Sequence, residues 1–91
     1  MNLKQGKNRF YLEDNEVEIA EMTYSVAGEK MIIIDHTHVE ETYKGQSLGR
    51  KLLDEVVAFA RKEEKKIIPL CPYAKAQFEK DESIRDVLKD Q

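Results

Sequence analysis

Between residues 39 and 53 an apolar strand ends, a short polar loop with two glycines follows, and a long amphipathic helix begins. Leu48, Leu52, Val56, Phe59 and Ala60 recur at three- and four-residue spacing, with Leu53 and Val57 widening the stripe. Arg50, Lys51, Asp54, Glu55 and Arg61 fall on the other side. One face of this helix therefore belongs to a core. Docking fixes its N-terminus, so the unpaired amides of the first turn and the positive end of the dipole point at one place, which attracts an anion such as phosphate. Gly45 and Gly49 let the backbone turn sharply and approach a ligand, and Lys44, Arg50 and Lys51 add positive charge beside it. A ligand-free strand-to-helix loop fits the same spacing equally well.

Two familiar phosphate loops do not fit. A Walker A loop has more widely spaced glycines followed directly by Lys and Ser or Thr, whereas Gly49 is followed by Arg50 and Lys51. A dinucleotide fingerprint needs a third glycine in the turn, and there is none.

The segments around the loop predict an α+β domain. Asn8 to Glu13 reads as a strand, Asp14 and Asn15 as a turn, and Val17 to Val26 as a second strand. Val17 and Ile19 run out of phase with Ala20, Met22, Tyr24 and Val26, which predicts a bulge or burial on both sides. Met31 to Ile34 is a continuous apolar run expected in a central strand, continuing through Asp35, His36, Thr37, His38 and Val39. The helix is expected from Gln46 to Glu64. A short strand from Lys65 to Cys71 should follow, parallel to the third because the helix connects them as a crossover. Pro72 suits the first position of a short helix ending at Lys80, and Ser83 with Asp86 predicts a last helix through Ile84, Val87 and Leu88. The expected order is β-β-β-α-β-α-α, a mixed sheet of about four strands with helices packed on it. Residues 1–6 and 89–91 are expected to fray.

Ninety-one residues predict a single domain, 1–91. The longest apolar run, Met31 to Ile34, is too short to span a membrane, and the N-terminus lacks an apolar signal core, so a cytoplasmic protein is expected. With 15 basic and 18 acidic residues interspersed, net −3, there is no electrostatic footprint for nucleic acid. The one cysteine excludes an internal disulfide.

Lys44, Gly45, Gln46, Ser47, Leu48 and Gly49, preceded by His36 to Val39 and followed by Ile68, Pro69, Leu70, Cys71, Pro72 and Tyr73, resemble the small single-domain members of the GCN5-related N-acetyltransferase superfamily. The resemblance runs from about Tyr11 to Leu88. Lys44 stands where that family has Arg or Gln, keeping charge but losing fork geometry, and Ser47 stands at the usual first glycine of the loop. The resemblance implies acetyl-coenzyme A as cosubstrate and a primary amine as acceptor. It implies backbone contacts from Thr37, His38 and Val39 to pantetheine, with the Val39 amide as oxyanion donor. Lys44, Gly45, Gln46, Ser47, Leu48, Gly49 and Arg50 would hold the pyrophosphate, and the thioester would end near Cys71 and Tyr73. Larger members place extra helices between the first two strands; Glu13 to Glu16 leaves room only for a turn, so the acceptor site should be open or completed by a second subunit. A monomer or weak homodimer is expected.

Candidate side chains follow. With Pro72 opening a helix, Cys71 lies at its N-cap, suited to a general acid, a covalent acyl carrier, or simply a small buried hydrophobe. Tyr73 is the rival acid. His38, or His36 on the same strand face, is a candidate general base, with hydrogen bonding inside the sheet as the plainer role. Asp35, His36 and His38 fall short of a zinc ligand set, and no metal is expected. Besides an acetyltransferase, the sequence admits a non-catalytic coenzyme A or acyl-coenzyme A binding module, or a small interaction domain on the same frame.

Overall fold

The computed structural model describes residues 1–89. Five strands, β1 (Asn2–Gly6), β2 (Arg9–Asp14), β3 (Val17–Val26), β4 (Met31–Val39) and β5 (Lys66–Pro69), form one sheet in chain order. The first four are antiparallel neighbours, and β5 runs parallel to β4 with Ile32 opposite Ile67 and Ile34 opposite Pro69. Helix α1 (Leu48–Lys62) makes the crossover, and α2 (Pro72–Lys80) follows β5. Short 3₁₀ turns occupy Glu41–Tyr43 and Glu82–Val87.

The sheet thus has five strands where about four were expected, because residues 1–6, expected to fray, pair with β2 from Asn2 opposite Glu13 to Gly6 opposite Arg9. Its polar side chains carry no core signal; backbone pairing to a neighbour already in place makes the strand. At the other end Lys89 donates its backbone N–H to Ile67 O at 2.9 Å, and residues 90–91 lie outside the described residues. The last helix is a 3₁₀ turn whose cap is Asp81 rather than Ser83: the Asp81 carboxylate accepts from both N and Oγ of Ser83.

Two bulges set which residues face which way. Leu12 pairs with Ala20 but Glu13 with Glu18, so Ile19 is the extra residue, and Ile19 and Ala20 are both buried. Thr23 pairs with His36 but Tyr24 with Ile34, so Asp35 is extra in β4. An extra residue resets the two-residue alternation. Ile32 and Ile34, and beyond the bulge Thr37 and Val39, share a face with buried Ala20, Met22 and Tyr24, while His36 and His38 stand on the other face opposite Thr23 and Glu21.

All the helices cover one face. Phe10, Leu12, Met22, Ile32, Ile34 and Ile67 pack there against Leu52, Leu53, Val56, Ala74 and Phe78 in a single core. Phe59 of α1 meets the rings of Phe10 and Tyr24 at 5.8 and 5.7 Å. The opposite face is polar: Arg9 lies 4.0 Å over the Tyr11 ring and pairs with Glu18 and Glu21. No helix among the described residues is long and apolar enough to cross a membrane.

Candidate functional site

Strands β4 and β5 part company at Ile34. Pairing ends at Ile34 opposite Pro69, and Ile34 O then accepts from both Leu70 N and Cys71 N at 3.1 Å as the chain turns away. β4 continues five residues further, to Val39. Glu40 N donates to Ile19 O on the β3 side, so by antiparallel alternation Thr37 and Val39 turn their amides and carbonyls towards the gap left by β5.

The loop after β4 leads into α1 through two left-handed residues, Gly45 at φ +87° and Ser47 at φ 59°, ψ 31°. The second explains why α1 starts at Leu48, not Gln46: the left-handed turn is its boundary. Ser47 makes no side-chain cap, and the first helical bond is Lys51 N to Ser47 O at 3.1 Å. The amides of Leu48, Gly49 and Arg50 therefore lie outside the helical ladder, at the positive end of the dipole.

Between the parted strands and this helix end is a groove of about 340 Å³ lined by Thr37, His38, Val39, Tyr43, Lys44, Gly45, Ser47, Leu48, Gly49 and Tyr73. Eight of the ten positions marked in the sequence as coenzyme contacts are in it. Gln46 and Arg50 are not. Arg50 turns its guanidinium to donate to Asp54 at 2.8 Å, to Gln77 at 3.0 Å and to Asp81, tying α1 to α2; only its backbone amide belongs to the loop. Tyr43 was not singled out as a contact, and its hydroxyl donates to Asp14 at 2.6 Å, fastening the groove wall to the β2–β3 turn. That bond raises the Tyr43 pKa.

Gly49 has a use beyond the one its position suggests. A Cβ there would meet Cζ, Cε2 and Oη of Tyr73 at 3.0, 3.1 and 3.2 Å, so its missing side chain makes room for the phenol. Burial pushes the Tyr73 pKa up; the Arg50 charge opposes this, and Asp54 and Cys71 add to it. Tyr73 is thus a protonated phenol at neutral pH, facing the groove.

The other two candidate catalytic residues are separated. Cys71 is the N-cap of α2, as the Pro72 signal predicts, and lies in the core at 5% exposure, with Sγ 3.2 Å from Oγ1 of Thr37. His38 borders the groove from the open face, where its ring stacks on His36 with centroids 6.4 Å apart and Nε2 lies 2.9 Å from a Glu40 carboxylate oxygen. The Asp35 carboxylate accepts from Ser25 Oγ at 2.5 Å. Among the described residues no three His, Cys, Asp or Glu side chains are grouped as metal ligands.

A larger hollow of about 860 Å³ lies at the outer edge of β5, lined by residues including Ile68, Leu70, Phe78, Arg85 and Leu88. Arg85 is engaged there with the carbonyls of Phe78 and Glu79, closing the end of α2, and among the described residues no first turn of α1 or α2 lines the hollow.

A family profile described as GCN5-related N-acetyl-transferase matches residues 9–87. The solution structure of a GCN5-like protein from Staphylococcus aureus is 42% identical, covering 99% of this chain and 89% of that one, with a TM-score of 0.82. The ribosomal-protein-S18-alanine N-acetyltransferase of Escherichia coli is 23% identical with a TM-score of 0.66, over 82% of this chain and 52% of that one. An acetyltransferase from Elizabethkingia anophelis with acetyl-coenzyme A bound is 19% identical with a TM-score of 0.61, over 67% and 40%. These last two share the fold, and the chain spans about half of the first and two fifths of the second. No curated protein sequence matches the chain.

Proposed function

The chain belongs to the GCN5-related N-acetyltransferase family, and we propose that it transfers the acetyl group of acetyl-coenzyme A to a primary amine that approaches from the open face of the sheet. The observation that carries this reading is the groove between the parted β4 and β5 and the first turn of α1. The donor set fits the coenzyme: the amides of Leu48, Gly49 and Arg50 with the nearby Lys44 suit a pyrophosphate, and the open edge at Thr37 and Val39 suits an amide-bearing arm. Lys44 is loosely paired with Glu41 at 3.4 Å on the surface, so its charge remains available to an anion.

Bound acetyl-coenzyme A supplies the activated acetyl group. The residues around it then divide the proton handling between the two faces of the sheet. On the covered face Tyr73 keeps its proton and can yield it to a departing thiolate. On the open face His38, oriented by Glu40, can take a proton from an arriving ammonium. The Val39 amide, turned to the gap, would donate to a developing oxyanion. With only a two-residue turn between β1 and β2, no helix among the described residues walls the open face, which favours an amine carried on a large or extended molecule.

The test is a calorimetric titration with acetyl-coenzyme A, repeated with Ser47→Asp, which sets a carboxylate against the pyrophosphate position. Micromolar binding abolished by the variant is expected, and Tyr73→Phe should then bind but lose turnover with amine acceptors. Undetectable binding by the unaltered protein, with no change in melting temperature at excess ligand, would refute the reading.

A further inference from the structure

One thiol sits just behind the groove. Cys71 is the only cysteine of the chain and does not line the groove, whereas Thr37, whose hydroxyl oxygen is 3.2 Å from Cys71 Sγ, does. This pairing depends on the bulge at Asp35. Without the extra residue, continued alternation after Ile34 would place His36 and His38 on the covered face and send the Thr37 side chain to the open one. The N-cap position of Cys71 contributes the other half: its side chain makes no bond to the α2 backbone, so its sulfur is left to Thr37. Between a hydroxyl and a sulfur, the hydroxyl is the better donor, and the reactive form of cysteine, the thiolate, is an acceptor only.

We propose that Thr37 is a positioning residue for Cys71: its hydroxyl donates to Sγ and holds the sulfur against the inner wall of the groove. The inference rests on the coenzyme reading above for what fills the groove, and on the Thr37 to Cys71 contact for what happens behind it.

Because there is a single thiol, alkylation by iodoacetamide followed by intact mass reports on Cys71 alone. Thr37→Val keeps the side-chain shape and removes only the hydroxyl. It is expected to slow alkylation about threefold, because the roughly tenfold loss of thiolate that goes with one hydrogen bond is partly offset by a more nucleophilic sulfur, while Thr37→Ser stays within about 1.5-fold of the unaltered protein. Coenzyme A at concentrations that saturate binding by calorimetry should slow alkylation of the unaltered protein. Alkylation of Thr37→Val at the original rate, or failure of Thr37→Ser to restore it, overturns the positioning role. Coenzyme A that binds without slowing alkylation overturns the placement of Cys71 at the groove and leaves the coenzyme reading standing. Coenzyme A that does not bind sinks the coenzyme reading, while the two Thr37 variants still decide the contact.

Discussion

Gly49→Ala isolates the position of a single phenol. The added Cβ would stand 3.0, 3.1 and 3.2 Å from three atoms of the Tyr73 ring. Carbon atoms settle at about 3.5–4.0 Å, so the ring must retreat by roughly 0.5 Å. Tyr73 is half-buried and the atoms involved are at its free end, so it can pivot, and the overpacking cost falls at the low end, about 1 kcal/mol. Alanine in the first turn of α1 returns up to about 0.8–1.0 kcal/mol of helix propensity. The two effects nearly cancel, and the melting temperature should stay within about 4 °C of the original. Under the role proposed for Tyr73, turnover should not be spared. A displacement of about 1 Å at a catalytic group costs on the order of a hundredfold, so half that distance should cost roughly tenfold in turnover. Circular dichroism gives the melting temperature, and aromatic carbon–proton NMR spectra follow the rings of the four tyrosines. Only the Tyr73 resonances should move appreciably. A fall of more than about 8 °C would mean that the ring cannot pivot, and unchanged Tyr73 resonances would mean that the close approach is not there; either refutes the reasoning.

Two more perturbations test the frame. Ser47 holds a left-handed conformation that costs a residue with a Cβ about 1 kcal/mol, partly offset by the greater unfolded freedom of glycine, so Ser47→Gly should raise the melting temperature by roughly 2–4 °C and should not weaken coenzyme binding. The Asp81 carboxyl is held down to about 2 by its bonds from Ser83 and Arg50. A depressed acid stabilises the fold above its unfolded pKa of about 3.9 and loses that contribution as pH falls towards the folded value, so acid unfolding followed by circular dichroism should have a component between about pH 4 and 2 that Asp81→Asn removes. An acid limb of the same size in the variant would show that other carboxylates govern it.

What the sequence disclosed was local. The α1 stripe, the Pro72 start of α2 with Cys71 before it, and the crossover that makes β5 parallel to β4 each depend on residues close in sequence or on chain chirality, and each is present. What it withheld was tertiary. The strand at Asn2–Gly6 is made by backbone pairing, which polar side chains do not advertise. The contact of Gly49 with Tyr73 was not legible because that ring is 24 positions away. Arg50 reads as a phosphate ligand because Gln77 and Asp81, which claim it, lie 27 and 31 positions along the chain. Most of the groove lining was legible because the loop and the end of β4 are contiguous in sequence; Tyr43 was passed over as a contact because its role depends on Asp14 across the sheet.

The sheet lays its strands down in the order of the chain, and this has a kinetic consequence. From β1 to β4 each strand can zip onto its predecessor through a turn of two to four residues. Such local closures are fast, whereas β5 must wait for the whole of α1 to form and dock before it meets β4. The last join to close should also be the first to open, so the amides of Leu70 and Cys71, bonded to Ile34 across it, should exchange with solvent deuterium sooner than the buried amides shared by β2 and β3. The groove opens on that same join. Access for a long coenzyme arm and for its departing product would then come from breathing of β5 alone, while the four antiparallel strands beside it stay folded.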